Sequence, residues 1–272
     1  QSRAIEEALL RVSIPYRIYG GLRFYDRLEI KNAISYLKVI FNNSDNPSFE
    51  RSISNPTRGV GQKTLAKVRD EAKKSGISYI KAAAKLVDEG SIKGKGASGL
   101  GTYLEFIANA FEMLETHNLS ELVEHINVKS GLYDFHKKEP GEKGKTRIEN
   151  LDELVSAAKN FEQSFSEEKE NREIVESFLD VISLDAGDRQ ADEHDDAVQL
   201  MTLHSAKGLE FKLVFLTGME ESLFPHGRSM ESASQLEEER RLCYVGITRA
   251  MRKLYLTYAE SRRLHGTDIF NP

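Results

Sequence analysis

Ten residues, Thr202-Leu203-His204-Ser205-Ala206-Lys207-Gly208-Leu209-Glu210-Phe211, set a histidine, two hydroxyls, a glycine and a carboxylate directly after an apolar run. An apolar run of this length predicts a buried strand over Val198 to Leu203, and ligands collect beyond the carboxyl ends of parallel strands. The residue types suit a phosphorylated ligand. Gly208 permits close backbone approach, Glu210 offers an acceptor for a sugar hydroxyl, and Thr202 and His204 can donate to phosphate oxygens. A single histidine in such a place reads by itself as a satisfied structural residue, so its meaning depends on what surrounds it.

A second block, Glu237-Glu238-Glu239-Arg240-Arg241-Leu242-Cys243-Tyr244-Val245-Gly246-Ile247-Thr248-Arg249-Ala250, mixes charge with an apolar stripe and predicts a helix over Leu236 to Thr248. Arg249 stands at its end. A guanidinium there is a permanent charge with a rigid planar fork, suited to stabilise charge that builds on a transferring phosphoryl group. Glu237 to Arg241 also fits a solvated helix face with acids and arginines paired along it.

A third block, Asn55-Pro56-Thr57-Arg58-Gly59-Val60-Gly61, precedes a helical pattern containing Gln62, Lys63, Thr64, Leu65 and Val68. Free amides at a helix start can bind a phosphate, and such contacts read backbone rather than base sequence. Gly-x-Gly alone marks only a turn. One further segment imitates a nucleotide site. Gly144-Lys145-Thr146 matches the end of a phosphate loop, but Glu139 stands where the G-x-x-x-x-G-K-[ST] spacing requires glycine, and no strand precedes it. Asp152-Glu153 likewise follows no buried strand and makes a poor magnesium-binding pair.

These blocks need elements to hold them. Ser2 to Val12 places Ile5, Ala8, Leu9 and Val12 on one helical face, and Pro15 ends the pattern before a short strand, Tyr16 to Tyr19, halted by Gly20-Gly21. Asp26 and Glu29 have capping-box spacing ahead of a helix carrying Leu28, Ala33, Ile34, Leu37, Ile40 and Phe41. From Asn42 to Asp196 the periodicity is helical. Phe106, Ile107, Ala110, Phe111 and Leu114 form one stripe, Asn118 and Glu121 cap the next segment, and Ile174, Phe178, Val181 and Ile182 form another. Beyond Ala197 the pattern changes to strands at Val198–Leu203, Leu213–Thr217 and Lys253–Thr257 around the helix that ends at Arg249. Strands alternating with a helix predict a parallel sheet, with the Tyr16 strand as a further member.

At 272 residues the chain fits a prior of about two domains. Hydrophobic residues make up 39% and charged residues 30%, with no Trp, as expected of a folded, helix-rich chain rather than a disordered one. No run approaches the roughly 20 apolar residues of a membrane span, and no signal-like start is visible. The single Cys243 excludes an internal disulfide and a multi-cysteine metal cage. A net charge of −5 hides an asymmetry: Leu151 to Asp196 holds 15 acidic and 4 basic residues, or −11, leaving +6 elsewhere. A polyanionic partner is therefore allowed.

Taken together, Thr202 to Phe211 and Glu237 to Ala250 resemble motifs V and VI of the superfamily 1A helicases. Gln1 to Arg27, with Pro15-Tyr16-Arg17-Ile18-Tyr19-Gly20-Gly21, resembles the stretch before the accessory domain of the UvrD/PcrA type. Asn55 to Gly61 and Gly141-Glu142-Lys143-Gly144-Lys145-Thr146-Arg147-Ile148-Glu149-Asn150 have close counterparts in that accessory domain. The resemblance implies an α/β chain: part of a discontinuous RecA-like parallel-sheet motor domain from residues 1–34 and 197–272, with a large all-helical accessory domain, 35–196, inserted in it. It implies an ATP-dependent DNA helicase moving 3′-to-5′ on single-stranded DNA in excision and mismatch repair.

In that family, the residue matching Arg249 reaches the γ-phosphate as the catalytic arginine and the residue matching Glu210 contacts the ribose, with Gly208 beside it. The positions matching Thr202 and His204 lie towards the single-stranded DNA track. Tyr19, Gly20, Thr57, Arg58, Gly59, Gly61, Lys63 and Thr64 complete the expected DNA-binding set. ATP comes with Mg2+, both bound mainly by an N-terminal motor half that this chain does not contain, so no ATP turnover is expected of the chain alone. The implied partners are that half, single-stranded and duplex DNA, and repair proteins, in a nucleoid-associated cytoplasmic setting with no membrane. A non-enzymatic duplex-binding or protein-docking module is the alternative.

Overall fold

The computed structural model describes residues 2–19, 22–165, 169–187, 196–221, 223–264 and 267–270. In chain order the elements are α1 (Ser2–Arg11), β1 (Tyr16–Tyr19), α2 (Leu28–Phe41), α3 (Asn46–Ser54), α4 (Gln62–Ser75), α5 (Tyr79–Asp88), α6 (Lys95–Thr116), α7 (Leu119–Lys129), α8 (Leu132–Lys137), α9 (Glu142–Glu162), α10 (Asn171–Gly187), β2 (Val198–Met201), β3 (Phe211–Thr217), α11 (Ala233–Thr248), β4 (Ala250–Thr257), β5 (Ser261–Leu264) and β6 (Thr267–Phe270). They fall into two compact units, one from Gln1–Phe24 and Arg189–Pro272, the other from Tyr25–Asp188. The sequence reading divides α2 at residue 34; the structure keeps that helix whole in the helical unit. No helix among the described residues is long and apolar enough to cross a membrane.

The helical unit is built around α2, which packs against α3, α6, α7 and α9. Ile30, Tyr36, Leu37 and Ile40 are fully buried there, and Glu29, Asn32 and Ser35 are buried beside them. A helix covered on nearly every side is the centre of a domain rather than its surface. Tyr36, Phe49, Tyr103 and Phe106 meet edge-on or tilted at 5.5–6.1 Å around its middle.

Start and stop signals decide several helix ends. Asn118 Oδ1 accepts from Glu121 N at 2.9 Å while Asn118 N donates to the Glu121 carboxylate at 3.1 Å, a complete capping box on α7. The equivalent expectation at Asp26 and Glu29 is corrected. Arg27 is the residue before α2 and no side chain caps it. Asp26 instead pairs with Lys31 at 2.6 Å, and Glu29 is buried, accepting from Asn150 Nδ2 at 2.6 Å. A partner 121 residues away has taken the carboxylate from the local motif. Phe111 and Val181, expected on buried stripes, are exposed, while Ile107, Ala110, Leu114, Phe178 and Ile182 carry those helices' buried faces.

The other unit is a mixed α/β arrangement with small parallel ladders. β1 pairs in parallel with β2, Tyr16 to Val198 through Tyr19 to Met201, joining positions about 180 residues apart. β3 pairs in parallel with β4 through the crossover helix α11, with a register irregularity between Phe211 and Leu213. Among the described residues the parallel pairing expected from the sequence is present as two two-stranded ladders, β1–β2 and β3–β4, rather than one continuous sheet, and β5–β6 is a separate antiparallel pair. Among the described residues β2 and β3 share no ladder. Val198, Leu213, Phe215 and Leu256, expected in buried strands or beside them, are exposed. Strands with apolar residues on both faces are those of a sheet covered on both sides.

Candidate functional site

In the α/β unit the parallel register of β1 and β2 brings Tyr19 level with Met201, so the chain leaves both strands at the same edge. Tyr19 accepts from Arg17 Nη1 at 3.2 Å, and the Arg17 guanidinium lies 5.9 Å from its ring centre. Gly20 lies outside the described residues. Thr202 opens the next segment and organises it: its Oγ1 accepts from Ser205 N at 3.2 Å and lies 3.0 Å from Ser205 Oγ, while its carbonyl accepts from Ala206 N at 3.1 Å. Leu209 N then donates to the Ala206 carbonyl at 3.1 Å. Buried Ala206 is the anchor of these turns, and Thr202, His204, Lys207, Gly208, Leu209 and Glu210 are exposed around it. Gly208 has φ +86°, and an added Cβ would meet nothing within 4 Å. Its left-handed backbone requires glycine, and the space above it is open to a ligand.

Arg249 ends α11 beside this segment. Its Nη1 donates to the Leu209 carbonyl at 2.7 Å, Nη2 to Thr248 Oγ1 at 3.0 Å and Nε to the Val245 carbonyl at 3.0 Å. In return, the Arg249 carbonyl accepts from Phe211 N at 2.8 Å. Leu209 and Arg249, 40 residues apart in sequence, therefore meet where β3 begins and α11 ends, with Gly208 and Glu210 on either side of Leu209 in the chain. Gly246 brings α11 close to this unit's core: an added Cβ would lie 2.7 Å from Leu203 Cδ2 and 3.2 Å from Leu216 Cδ1.

The acidic and basic start of α11 separates into two kinds of residue. Glu237–Arg240 at 3.1 Å and Glu238–Arg241 at 3.2 Å are exposed pairs of little energetic weight. Glu239, undistinguished from them in the sequence, accepts from His226 N and Ser229 Oγ, each at 3.2 Å, and ties the loop before α11 to the helix.

A second candidate site lies wholly within the helical unit. Gly59, with φ +74°, approaches Lys95 so closely that an added Cβ would be 3.2 Å from Lys95 Cβ. Gly61 and Gly94 stand before α4 and α6, and no side chain caps either helix start. The two starts adjoin, since a Cβ on Gly96 would be 3.1 Å from Thr64 Oγ1. Arg58, Gly59, Lys95, Ser98, Gly99 and Thr102 line a groove of about 530 Å³ there, with no carboxylate among them. Thr57, Lys63 and Lys95 are exposed. Two adjoining uncapped helix starts with lysines make an electropositive surface suited to phosphate. Lys95 was missed in the sequence, although Gly94-Lys95-Gly96 repeats the glycine-flanked helix start seen at Gly61.

Arg58 is placed apart from this exposed set. Its Nη1 donates to the carbonyls of Ser52 (3.2 Å) and Pro56 (2.9 Å), and its Nη2 to that of Ser130 (2.5 Å), so the guanidinium faces inward.

The phosphate-loop mimic is explained by packing. Gly144-Lys145-Thr146 lies in the first turns of α9, where a Cβ on Gly144 would be 2.5 Å from the His136 carbonyl. Asp152 accepts a hydrogen bond from the Tyr133 hydroxyl, and burial, ahead of that carboxylate, pushes the phenol pKa above its ordinary value. Among the described residues no group of three His, Cys, Asp or Glu is placed to hold a metal ion.

Residues 1–261 match the model of the UvrD-like helicase C-terminal domain. The chain is 49% identical to DNA helicase II of Escherichia coli over 271 residues, which is all of this chain and 37% of that protein. It is 46% identical to DNA helicase II of Haemophilus influenzae over 268 residues, 98% of this chain and 37% of that protein. With the ATP-dependent DNA helicase PcrA of Bacillus subtilis the identity is 42% over 274 residues, again all of this chain and 37% of the relative. The chain thus spans little more than a third of the length of these curated relatives.

Proposed function

Because the chain belongs to the family of UvrD-like helicase C-terminal domains, we propose that it is the C-terminal part of an ATP-dependent DNA helicase that moves 3′-to-5′ on single-stranded DNA and opens duplex in DNA repair. In this reading the α/β unit is part of a RecA-like motor domain and the helical unit is its inserted accessory domain. The observation that carries the proposal is the contact of Arg249 with the Gly208–Glu210 segment at 2.7 Å. It joins the two blocks that would face ATP: Glu210 accepting from the ribose, Gly208 allowing close approach, and Arg249 countering charge on the transferring phosphoryl group. The phosphate loop and the magnesium ligands would come from a partner motor half. The exposed apolar residues of β3 and β4 support a sheet continued by further strands of the motor.

Tyr19, Gly20, Thr202 and His204 would follow the single strand. Tyr19 ends β1 at the edge where Thr202 and His204 follow β2, on the segment that also reaches Arg249, which supports a short path between the nucleotide and the DNA. The accessory unit would hold the duplex at Thr57, Gly59, Gly61, Lys63 and Thr64, reading phosphates without base preference. Repair proteins as partners and a nucleoid-associated place in the cytoplasm belong to the same proposal.

Two outcomes test it in the 272-residue chain. ATP turnover with single-stranded DNA is expected at background, and turnover at the rate of a whole helicase in a clean preparation would sink the division of labour proposed here. Forked DNA should bind with steep salt dependence, because each neutralised phosphate releases counterions. Lys63→Ala should lower the slope of log K against log salt by about one unit, leaving base preference unchanged. A slope equal to that of the wild type would return Lys63 to the solvated surface.

A further inference from the structure

Arg58 sits at the root of the groove, yet it points away from it. Its guanidinium lies 5.5 Å from the Tyr36 ring centre and 5.6 Å from that of Tyr103. Both tyrosines and Ser52 are fully buried. Tyr36 Oη donates to the carbonyls of Ser52 (2.6 Å) and Asn55 (2.8 Å), and Tyr103 Oη lies 2.6 Å from Ser52 Oγ. Burial raises both phenol pKa values, so the two hydroxyls stay protonated. Arg58 adds three bonds of its own, to the carbonyls of Ser52, Pro56 and Ser130, which come from α3, from the loop and from the end of α7. On the far side, the Arg58 carbonyl stands where a Cβ on Gly99 would fall, 2.1 Å away, so α6 packs directly on the loop backbone.

The arrangement fixes the Asn55–Gly61 loop from three directions. Carbonyls at three different bearings match the planar fork of a guanidinium, and the two rings match its face; an ammonium, a point charge, cannot serve them all. We infer that Arg58 is a positioning residue for duplex binding: it locks the Gly59–Gly61 turn and the start of α4 in the form that accepts phosphate, without touching DNA itself. The inference rests on the reading of the groove as the duplex site. It assigns the charge of the contact to the exposed lysines and its shape to the buried cluster of Arg58, Tyr36, Tyr103 and Ser52.

The test is a salt titration of forked-DNA binding by the 272-residue chain, with a melting curve for each variant. Arg58→Lys keeps the charge, so a direct phosphate contact would survive it. Positioning predicts a loss of about tenfold in affinity at every salt concentration with the slope unchanged, whereas Lys63→Ala should lower the slope by about one. Tyr103→Phe, at a site with no exposure, should weaken binding in the same manner as Arg58→Lys. Amide exchange at Gly59 to Lys63 should quicken in both of these variants with no DNA present. Wild-type affinity in a folded Arg58→Lys overturns the inference alone. Should that variant fail to fold, wild-type affinity in Tyr103→Phe overturns it. Absence of forked-DNA binding by the wild-type chain, or a slope untouched by Lys63→Ala, overturns the duplex reading and this inference with it, even where exchange quickens.

Discussion

Replacing Arg249 by Ala in the full-length helicase to which we assign this chain is expected to lower DNA-stimulated ATP turnover by at least about 10³, the lower part of the range for arginine fingers in phosphoryl transfer. The side chain is held by three hydrogen bonds, to Leu209, Thr248 and Val245, that orient the fork before any nucleotide arrives. Such preorganisation is what makes a charge effective on a transition state, since no reorganisation is left to do during the reaction. Arg249→Lys should rescue poorly, because an ammonium cannot keep the Leu209 carbonyl and present a planar fork to phosphate at once. Affinity for single-stranded DNA without nucleotide should hardly change. Turnover at saturating single-stranded DNA, beside a melting curve, makes the measurement; near-normal turnover in a folded Arg249→Ala protein removes the residue from the proposed active site.

Local signals in this chain were legible wherever neighbours in sequence settle the matter. The strand Tyr16–Tyr19 and the capping box of Asn118 and Glu121 are local, and the structure has both. The end of α11 at Thr248 was likewise marked by the change from helical spacing to the strand that follows. Where distant residues decide, the sequence was silent or misleading. Asp26 and Glu29 have capping-box spacing, but Asn150 and Arg147 approach Glu29 from α9, and a buried carboxylate follows the partners that compensate its desolvation. Phe111 and Val181 continue apolar patterns onto exposed faces, because periodicity gives the phase of a stripe and not its width.

The candidate sites divide in the same way. The residue types of Thr202–Glu210 and the terminal place of Arg249 were readable, whereas the carbonyl that brings them together, that of Leu209, is a backbone atom with no sequence signature. Arg58 shows the limit most plainly: an arginine before Gly-x-Gly reads as a phosphate hook, and only the placement of Ser52, Pro56 and Ser130 turns it inward. Lys95 joins the groove through contact between the starts of α4 and α6, 33 residues apart, which no window along the chain contains.

Gly144→Ala is expected to destabilise the helical unit by about 3 kcal/mol, the upper end of the usual cost of overpacking. A Cβ there would lie 2.5 Å from the His136 carbonyl and 2.8 Å from that of Glu139, and both are backbone atoms that cannot swing aside as a side-chain tip can. Relief requires α9 to move from the end of α8. That movement pulls Arg147 from Glu139, now at 2.5 Å, and disturbs buried His136, whose Nδ1 lies 3.3 Å from the same carboxylate. Burial lowers the His136 pKa, so its ring has no charge near neutrality to offset the loss. For a unit of this size the penalty corresponds to a fall of about 6–12 °C in the melting transition of the helical unit. Lys145→Ala, one residue on, should shift that transition by no more than about 1–2 °C, as a surface change does. The pair separates two reasons for the Gly-Lys-Thr sequence, because a phosphate loop would need both residues for nucleotide and a helix packed on α8 needs only the glycine. An unchanged melting curve for Gly144→Ala would mean that α8 and α9 do not pack this closely, and a loss of ATP affinity in a folded Lys145→Ala chain would restore the phosphate-loop reading that the packing rejects.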